Sequence, residues 1–299
     1  MPAALAAART IAAMSHTTLI QAAELDALRR SGNAKLAIFD CSFDLANPAA
    51  GRAAYAAGHL PGAQYLHLDE DLSAPKTGRN GRHPLPAREA FADRLAALGV
   101  DADSQVVVYD GSGGMYAARA WWMLRWAGHA AVALLDGGIA AWRAAGLPVE
   151  SGEAPAPAAR GSFALQPSLV PTVDRETLLA GLQQPARLLI DARAADRFRG
   201  ENETLDPVGG HIPGARNRVF RDNLGADGRF KPATQLRAEF DAVTGGRPAA
   251  ELVNACGSGV TACHNLLALE VAGLRGAALY PGSWSEWCAW PGAPVATGN

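Results

Sequence analysis

What this 299-residue chain lacks narrows its function before any motif is considered. A basic excess is missing: 27 Lys and Arg against 29 Asp and Glu leave a net charge of −2. Nucleic acid or an anionic membrane as the main partner would require the opposite balance. Long hydrophobic runs are missing too, and none approaches the roughly 18 residues of a membrane-spanning helix. Cysteine is scarce. Cys41, Cys256, Cys263 and Cys288 are too few for a disulfide scaffold and point to a reducing, cytoplasmic compartment. The opening "MPAALAAARTIAAM" lacks the basic start and unbroken apolar segment of a secretory leader, because Arg9 interrupts an Ala-rich run. Residues 1–16 are expected to form a disordered extension, with Met14 a candidate native start.

What is present is a pattern written twice. The length favours two domains. "LAIFDCSFDL" (36–45) matches "LLIDARAADRF" (188–198), each an apolar strand ending in an acid, Asp40 or Asp191. "GHLPGAQYL" from Gly58 matches "GHIPGARNR" from Gly210, and "VVVYDGSGGMYAARA" matches "LVNACGSGVTACHN", pairing Asp110 with Cys256. "DGGIAAW" answers "PGSWSEW", pairing Trp142 with Trp287. Four matches in one order at nearly constant separation indicate duplication. Short β-branched runs alternate with helical patterns such as "REAFADRLAAL" and "AARAWWMLRWAG", which predicts an α/β fold of mainly parallel strands flanked by helices. The Pro, Ala and Gly-rich stretch "PVESGEAPAPAARGSF" reads as a linker. The expected division is 17–147, a linker at 148–168, and 169–299.

"NACGSGVTACHN" (254–265) concentrates the chemistry. Strand-to-helix junctions are where α/β folds gather ligands, and this one holds a cysteine among residues with little bulk. Gly257 and Gly259 are expected to take positive φ and let backbone N–H groups converge. A following helix N-terminus adds partial positive charge, and both favour the thiolate of Cys256. Ser258 and Thr261 add hydroxyl donors. Metal binding fits poorly, since Cys256 and Cys263 lie seven apart with no second pair. A disulfide between them fits poorly as well: a helical segment of that length spans about 10 Å, beyond the roughly 7 Å a bridge allows. A phosphatase loop would need an arginine clamp where Ala262 stands. Cys263, Cys41 and Cys288 read as packing residues.

Together "CGSGVTAC", the paired "GHIPGA" elements, "DARAADRFRG" and "PGSWSEW" resemble the rhodanese-like sulfurtransferases, and more narrowly their tandem-domain group of thiosulfate and 3-mercaptopyruvate enzymes. The resemblance implies two tandem rhodanese-like domains, a persulfide on Cys256, and a first domain lacking the nucleophile, with Asp110 in its place. It implies no cofactor. Sulfur would pass from a small anionic donor to cyanide, a small thiol or thioredoxin by covalent catalysis. The N–H groups of Gly257, Ser258, Gly259, Val260 and Thr261 would hold the persulfide's charge.

The resemblance also assigns Arg197 to the donor pocket and, in the mercaptopyruvate branch, a relay of Cys256, Ser258, His83 and Asp69. The absence of basic residues directly after Cys256 favours mercaptopyruvate over thiosulfate. Asp206, however, stands where that branch has a second arginine for the carboxylate, and an acid there is expected to repel it. Lys76, Arg79, Arg82 and His83 lie in "PKTGRNGRHP", which reads either as a source of positive potential or as a solvated loop. Two other classes stay open: a non-catalytic binding or regulatory module, and a redox sensor using Cys256 with a resolving cysteine.

Overall fold

The computed structural model describes residues 15–32, 35–155, 157–182 and 186–299, so nearly all of the expected N-terminal extension lies outside the described residues. The apolar runs become strands of two parallel sheets. The first has the order β1 (Leu19–Ile20), β5 (Val132–Leu135), β4 (Gln105–Tyr109), β2 (Leu36–Asp40), β3 (Gln64–Tyr65). The second has the order β7 (Arg216–Asn217), β6 (Leu188–Asp191), β8 (Leu252–Ala255), β9 (Ala278–Leu279). Read from its β7 edge, the second sheet repeats the β3-β2-β4-β5 order of the first. The counterpart of β1 shrinks to one parallel bridge, Thr172 with Leu279. Every residue of β4 and β8 is buried, as expected for central parallel strands covered on both faces.

The duplication extends to details that the motifs alone do not explain. His59 stacks on Tyr55 and its Nδ1 meets the Tyr55 carbonyl; His211 stacks on Phe198 and its Nδ1 meets the Phe198 carbonyl. Trp142 donates its indole N–H to Pro148, and Trp287 to Pro294. These paired histidines and tryptophans, one of each in either half, therefore pin loops to cores, which accounts for their recurrence without any chemistry. The segment 148–168 runs along the first domain: Glu150 pairs with His59, and Phe163 is buried with its N–H on the Val100 carbonyl.

Two helices carry the association of the halves. Ala117–Trp126 follows the Asp110 loop and Thr261–Val271 follows the Cys256 loop. Residues 117–124 and 262–269 are buried on every side, the pattern of a helix enclosed by protein all round. One continuous apolar core runs through both, from Trp121 and Trp122 to Leu266 and Leu269. Packing these two helices together brings the loops that precede them into one region, the cleft between the domains.

Candidate active site

Cys256 follows β8 directly and is buried at 2% exposure. Its sulfur receives the backbone N–H of Gly259 at 3.1 Å and that of Ser258 at 3.4 Å. These two donors, rather than the whole run from 257 to 261, reach the sulfur. Gly259 takes the left-handed φ of +75°, and a Cβ there would sit 2.3 Å from the Pro281 carbonyl oxygen. Gly257, contrary to expectation, is not among the positive-φ glycines. A Cβ there would stand 2.9 Å from Arg82 Nη2, the movable end of a long side chain.

The loop is held from outside. Ser283 accepts the Cys256 N–H at 3.0 Å and donates its hydroxyl to Tyr280 O. It does so at φ +54°, the one non-glycine residue with positive φ among those described, a conformation that persists only where surrounding contacts enforce it. Trp284 and Ser285 donate their N–H groups to the carbonyls of Cys256 and Gly257. "PGSWSEW" is therefore the buttress of the cysteine loop. Position Ser283 carries no sequence signal beyond that motif.

A fully buried arginine, which sequence reasoning missed inside the apolar run "AARAWW", braces the other side. Arg119 donates to the Gly259 carbonyl at 3.0 Å, to the His83 carbonyl at 3.1 Å and to Leu72 O at 3.3 Å. Burial pulls its pKa down, opposed by the neighbouring sulfurs of Cys263 and Cys256. No carboxylate pairs with it among the described residues, so its charge is directed at the cysteine loop. Cys263 also donates to Gly259 O, at 3.3 Å. Burial pushes the Cys263 thiol up to about 12, which fits a packing role and makes it a poor resolving thiol. All four cysteines are free.

The first-domain loop is the mirror of this one. Asp110 occupies the cysteine's position, and its carboxylate accepts the backbone N–H groups of Ser112, Gly114, Tyr116 and Ala117 at 2.7–2.9 Å. Across the interface, His264 places Nε2 3.0 Å from the Gly113 carbonyl, as Arg119 does for Gly259. Each helix thus holds the other domain's loop.

His83 crosses from the first domain to the second, with Nδ1 2.8 Å from Ser258 Oγ. Its Nε2 lies 3.5 Å from Asp69 Oδ1, which Lys76 also approaches at 3.7 Å. In the tautomer with its proton on Nε2, facing Asp69, Nδ1 accepts from the Ser258 hydroxyl. The Asp69 contact is long, and Asp69 Oδ1 has no hydrogen-bond donor; such links often tighten only with substrate present. Three of the four relay residues therefore adjoin one another. The Ser258 hydroxyl, expected among the donors to sulfur, serves His83 instead.

Burial, then the charges of Arg119, Arg82 and Lys76, pull His83 down to about 3, and burial pulls His264 down to about 4. Both are neutral in the fold while the unfolded chain takes up their protons below about pH 6.5. Stability contributed by the neutral forms is thus full above that pH and is lost as pH falls toward 4. The loss is on the order of 1–2 kcal/mol for each histidine by pH 5. Asp40 and Glu286, raised mainly by burial, act in the opposite direction. The urea midpoint is expected to be lower at pH 5 than at pH 7.5; an equal or higher midpoint contradicts neutral burial.

Arg197 lies in the same cleft, 19% exposed at its side chain, with Nε and Nη2 on Glu203 and Nη2 3.3 Å from Asp206. Asp206 also meets Arg82 at 2.7 Å. Asp206 is therefore bound between two cations and does not stand as a bare acid. The basic loop of the first domain is not wholly solvated either: Arg82 and His83 turn inward, whereas Lys76 stays half-exposed. Cys256, Ser258, His83, Arg82, Arg197 and Tyr116 line a cavity of about 260 Å³. No cluster suited to a metal ion occurs among the described residues, and none of their helices is long and apolar enough to cross a membrane.

The rhodanese-like domain family matches residues 21–145 and 174–289. A Pseudomonas aeruginosa protein named "Probable 3-mercaptopyruvate sulfurtransferase" is 51% identical over 288 residues, covering 96% of this chain and all of its own. The Bos taurus thiosulfate sulfurtransferase is 37% identical over 261 residues, 84% of each chain. SseA of Escherichia coli, a solved 3-mercaptopyruvate sulfotransferase with the rhodanese fold, superposes with a TM-score of 0.76 at 32% identity, covering 90% of this chain and 99% of its own. The chain belongs to the rhodanese-like family and is a sulfurtransferase built from two copies of that domain.

Proposed function

We propose that the protein takes sulfur from 3-mercaptopyruvate in preference to thiosulfate, and passes it to a thiophilic acceptor through a persulfide on Cys256. The observation that carries the donor assignment is the 2.8 Å contact of Ser258 with His83 beside the nucleophile. The two donors differ in what they ask of a proton. With thiosulfate, the Cys256 thiolate attacks the outer sulfur, a Cys–S bond forms, the donor S–S bond breaks, and sulfite departs with the electron pair. No proton moves. With 3-mercaptopyruvate, the same attack breaks a carbon–sulfur bond and leaves an enolate. The proton of the donor thiol must then reach that carbon, giving pyruvate and Cys256–S–S⁻. A serine and a neutral histidine in hydrogen-bond contact can move that proton; for thiosulfate they have no task.

The N–H groups of Ser258 and Gly259 hold the charge on sulfur, as preorganised dipoles hold an oxyanion. Arg119 and Cys263 fix the Gly259 peptide from its carbonyl side. Arg197 keeps Nη1 free of hydrogen bonds among the described residues and offers it to the donor. The second half-reaction returns the thiolate when an acceptor thiolate or cyanide attacks the outer persulfide sulfur, with thioredoxin a candidate protein acceptor. The free thiols fit a reducing compartment such as the cytoplasm. A kcat/KM comparison in which 3-mercaptopyruvate exceeds thiosulfate by about tenfold or more is expected, since proton-transfer catalysis is typically worth ~10²–10⁴. A preference for thiosulfate overturns the donor assignment.

A further inference from the structure

The first domain holds no nucleophile, but its Arg119 reaches the backbone on which the chemistry of the second rests. The side chain is fully buried. Nη1 donates to the Gly259 carbonyl at 3.0 Å, and Nη2 to the carbonyls of His83 at 3.1 Å and Leu72 at 3.3 Å. Leu72 and His83 stand at the two ends of the loop that delivers His83 to Ser258, and Ala74 N–H on Pro84 O closes its stem at 2.9 Å. One guanidinium therefore registers the relay histidine against the cysteine loop. The Gly259 carbonyl and the Val260 N–H are opposite ends of one planar trans peptide, so the arginine also fixes where that N–H points. In the first domain the matching N–H, that of Tyr116 just before its helix, is donated to Asp110 at 2.8 Å.

The two cross-domain braces differ in charge. The Asp110 loop, whose anion is permanent, is held at its Gly113 carbonyl by His264, a neutral imidazole. The Cys256 loop, whose anion depends on the state of the sulfur, is held by a guanidinium, which stays charged. A charge buried without a counter-ion is costly unless dipoles compensate it. Here three carbonyls do so in part, while Nε finds no acceptor at all. A neutral donor would hold the same carbonyl at less cost. What the cation adds is attraction for a thiolate or persulfide on Cys256, which supplies the missing negative charge.

We propose that Arg119 is a positioning residue for sulfur transfer. From the first domain it orients the cysteine loop and the relay histidine together, and its charge favours the sulfur anion on Cys256. The domain without a nucleophile is thereby required for the chemistry of the other. This rests on the reading of Cys256 as the persulfide carrier, and it applies with either donor.

Arg119→Met and Arg119→Lys in the full-length protein test it, with His264→Leu as the interface control. Two readouts are taken: kcat and KM with both donors, and the rate at which iodoacetamide alkylates Cys256 at pH 7, followed on the Cys256 peptide by mass. In Arg119→Met, kcat is expected to fall about tenfold to a hundredfold with both donors while KM stays within about threefold, as for a lost preorganised contact. Alkylation should slow about tenfold, on the scale of one opposite charge removed, because the thiolate is the reacting form. A mere strut gives the opposite sign: a loosened loop uncovers a thiol that is 2% exposed, and alkylation quickens. Arg119→Lys keeps the charge but not the planar fork, so alkylation returns to near the wild-type rate and kcat recovers only in part. His264→Leu removes the mirrored contact and leaves both readouts close to wild type. Unchanged or faster alkylation in Arg119→Met, or an equal loss in His264→Leu, overturns the proposal. Should the methionine variant fail to fold, the lysine variant decides: a wild-type kcat overturns the positioning, and slowed alkylation overturns the charge. If donor-treated wild-type protein carries no extra sulfur on Cys256, the functional reading fails separately, since the alkylation comparison can still be read.

Discussion

Cys256→Ser yields a folded protein that transfers no measurable sulfur from either donor. Serine keeps the small size that the loop requires and leaves the backbone geometry intact. It removes the one atom able to form and release an S–S bond at neutral pH. Wild-type protein treated with donor and stripped of excess should carry one extra sulfur on the Cys256 peptide, about 32 Da, and the serine variant none. Two-oxygen oxidation has nearly the same mass, so removal by cyanide or dithiothreitol is the deciding step, because a sulfinic acid persists. Retained turnover with both donors in the serine variant would falsify the assignment of Cys256 as carrier. The same experiment separates the competing classes. A binding module acquires no adduct, and a redox sensor acquires one that reductant removes but that depends on oxidant instead of donor. Cys263, protonated and donating to Gly259 O, is badly placed to serve such a sensor as resolving thiol.

The second large effect splits the donors. His83→Asn places an amide near the position of Nδ1 and leaves the main-chain carbonyl that Arg119 holds, so the loop keeps its brace. Turnover of 3-mercaptopyruvate should fall by about 10²–10⁴, the usual worth of positioned proton transfer. Turnover of thiosulfate, which moves no proton, should stay within a few-fold. Ser258→Ala should follow the same split, since the hydroxyl is the hydrogen-bond partner of His83 Nδ1 in the proposed relay. Parallel loss with both donors means that His83 is needed for architecture alone, and the relay is wrong. A melting curve taken on each variant shows whether the fold has shifted, because His83 is only 2% exposed.

Much of this was legible from local pattern. Duplication, parallel α/β sheets and the cysteine loop all leave short, dense signals: an acid at a strand end, a glycine that must take positive φ, a tryptophan closing each half. What escaped depends on contacts between residues far apart in the chain. Arg119 sits in an apolar helix, where its sequence neighbours suggest packing; only the docking of two domains reveals a carbonyl from Gly259 beside it. Asp206 looked hostile to an anion because its partner Arg82 lies 124 residues earlier, in another domain. Ser283 has an ordinary identity and an unusual backbone, and backbone strain is invisible in a letter. Gly257 reads as a positive-φ position, yet only Gly259 takes that conformation in the loop, with the Pro281 carbonyl closing against it.

The aspartate in the first domain carries a consequence for the second. Four backbone N–H groups close around Asp110, and no ligand can enter a hole that a side chain already fills. The fold therefore displays one loop design with two tenants, a resident carboxylate on one side and a visiting sulfur anion on the other. Under the proposed mechanism, loading Cys256 would set an anion at the matching strand end of the second sheet, where two backbone N–H groups already point at the sulfur. Duplication thus left one strand-end loop closed by its own side chain and the other open to a visitor.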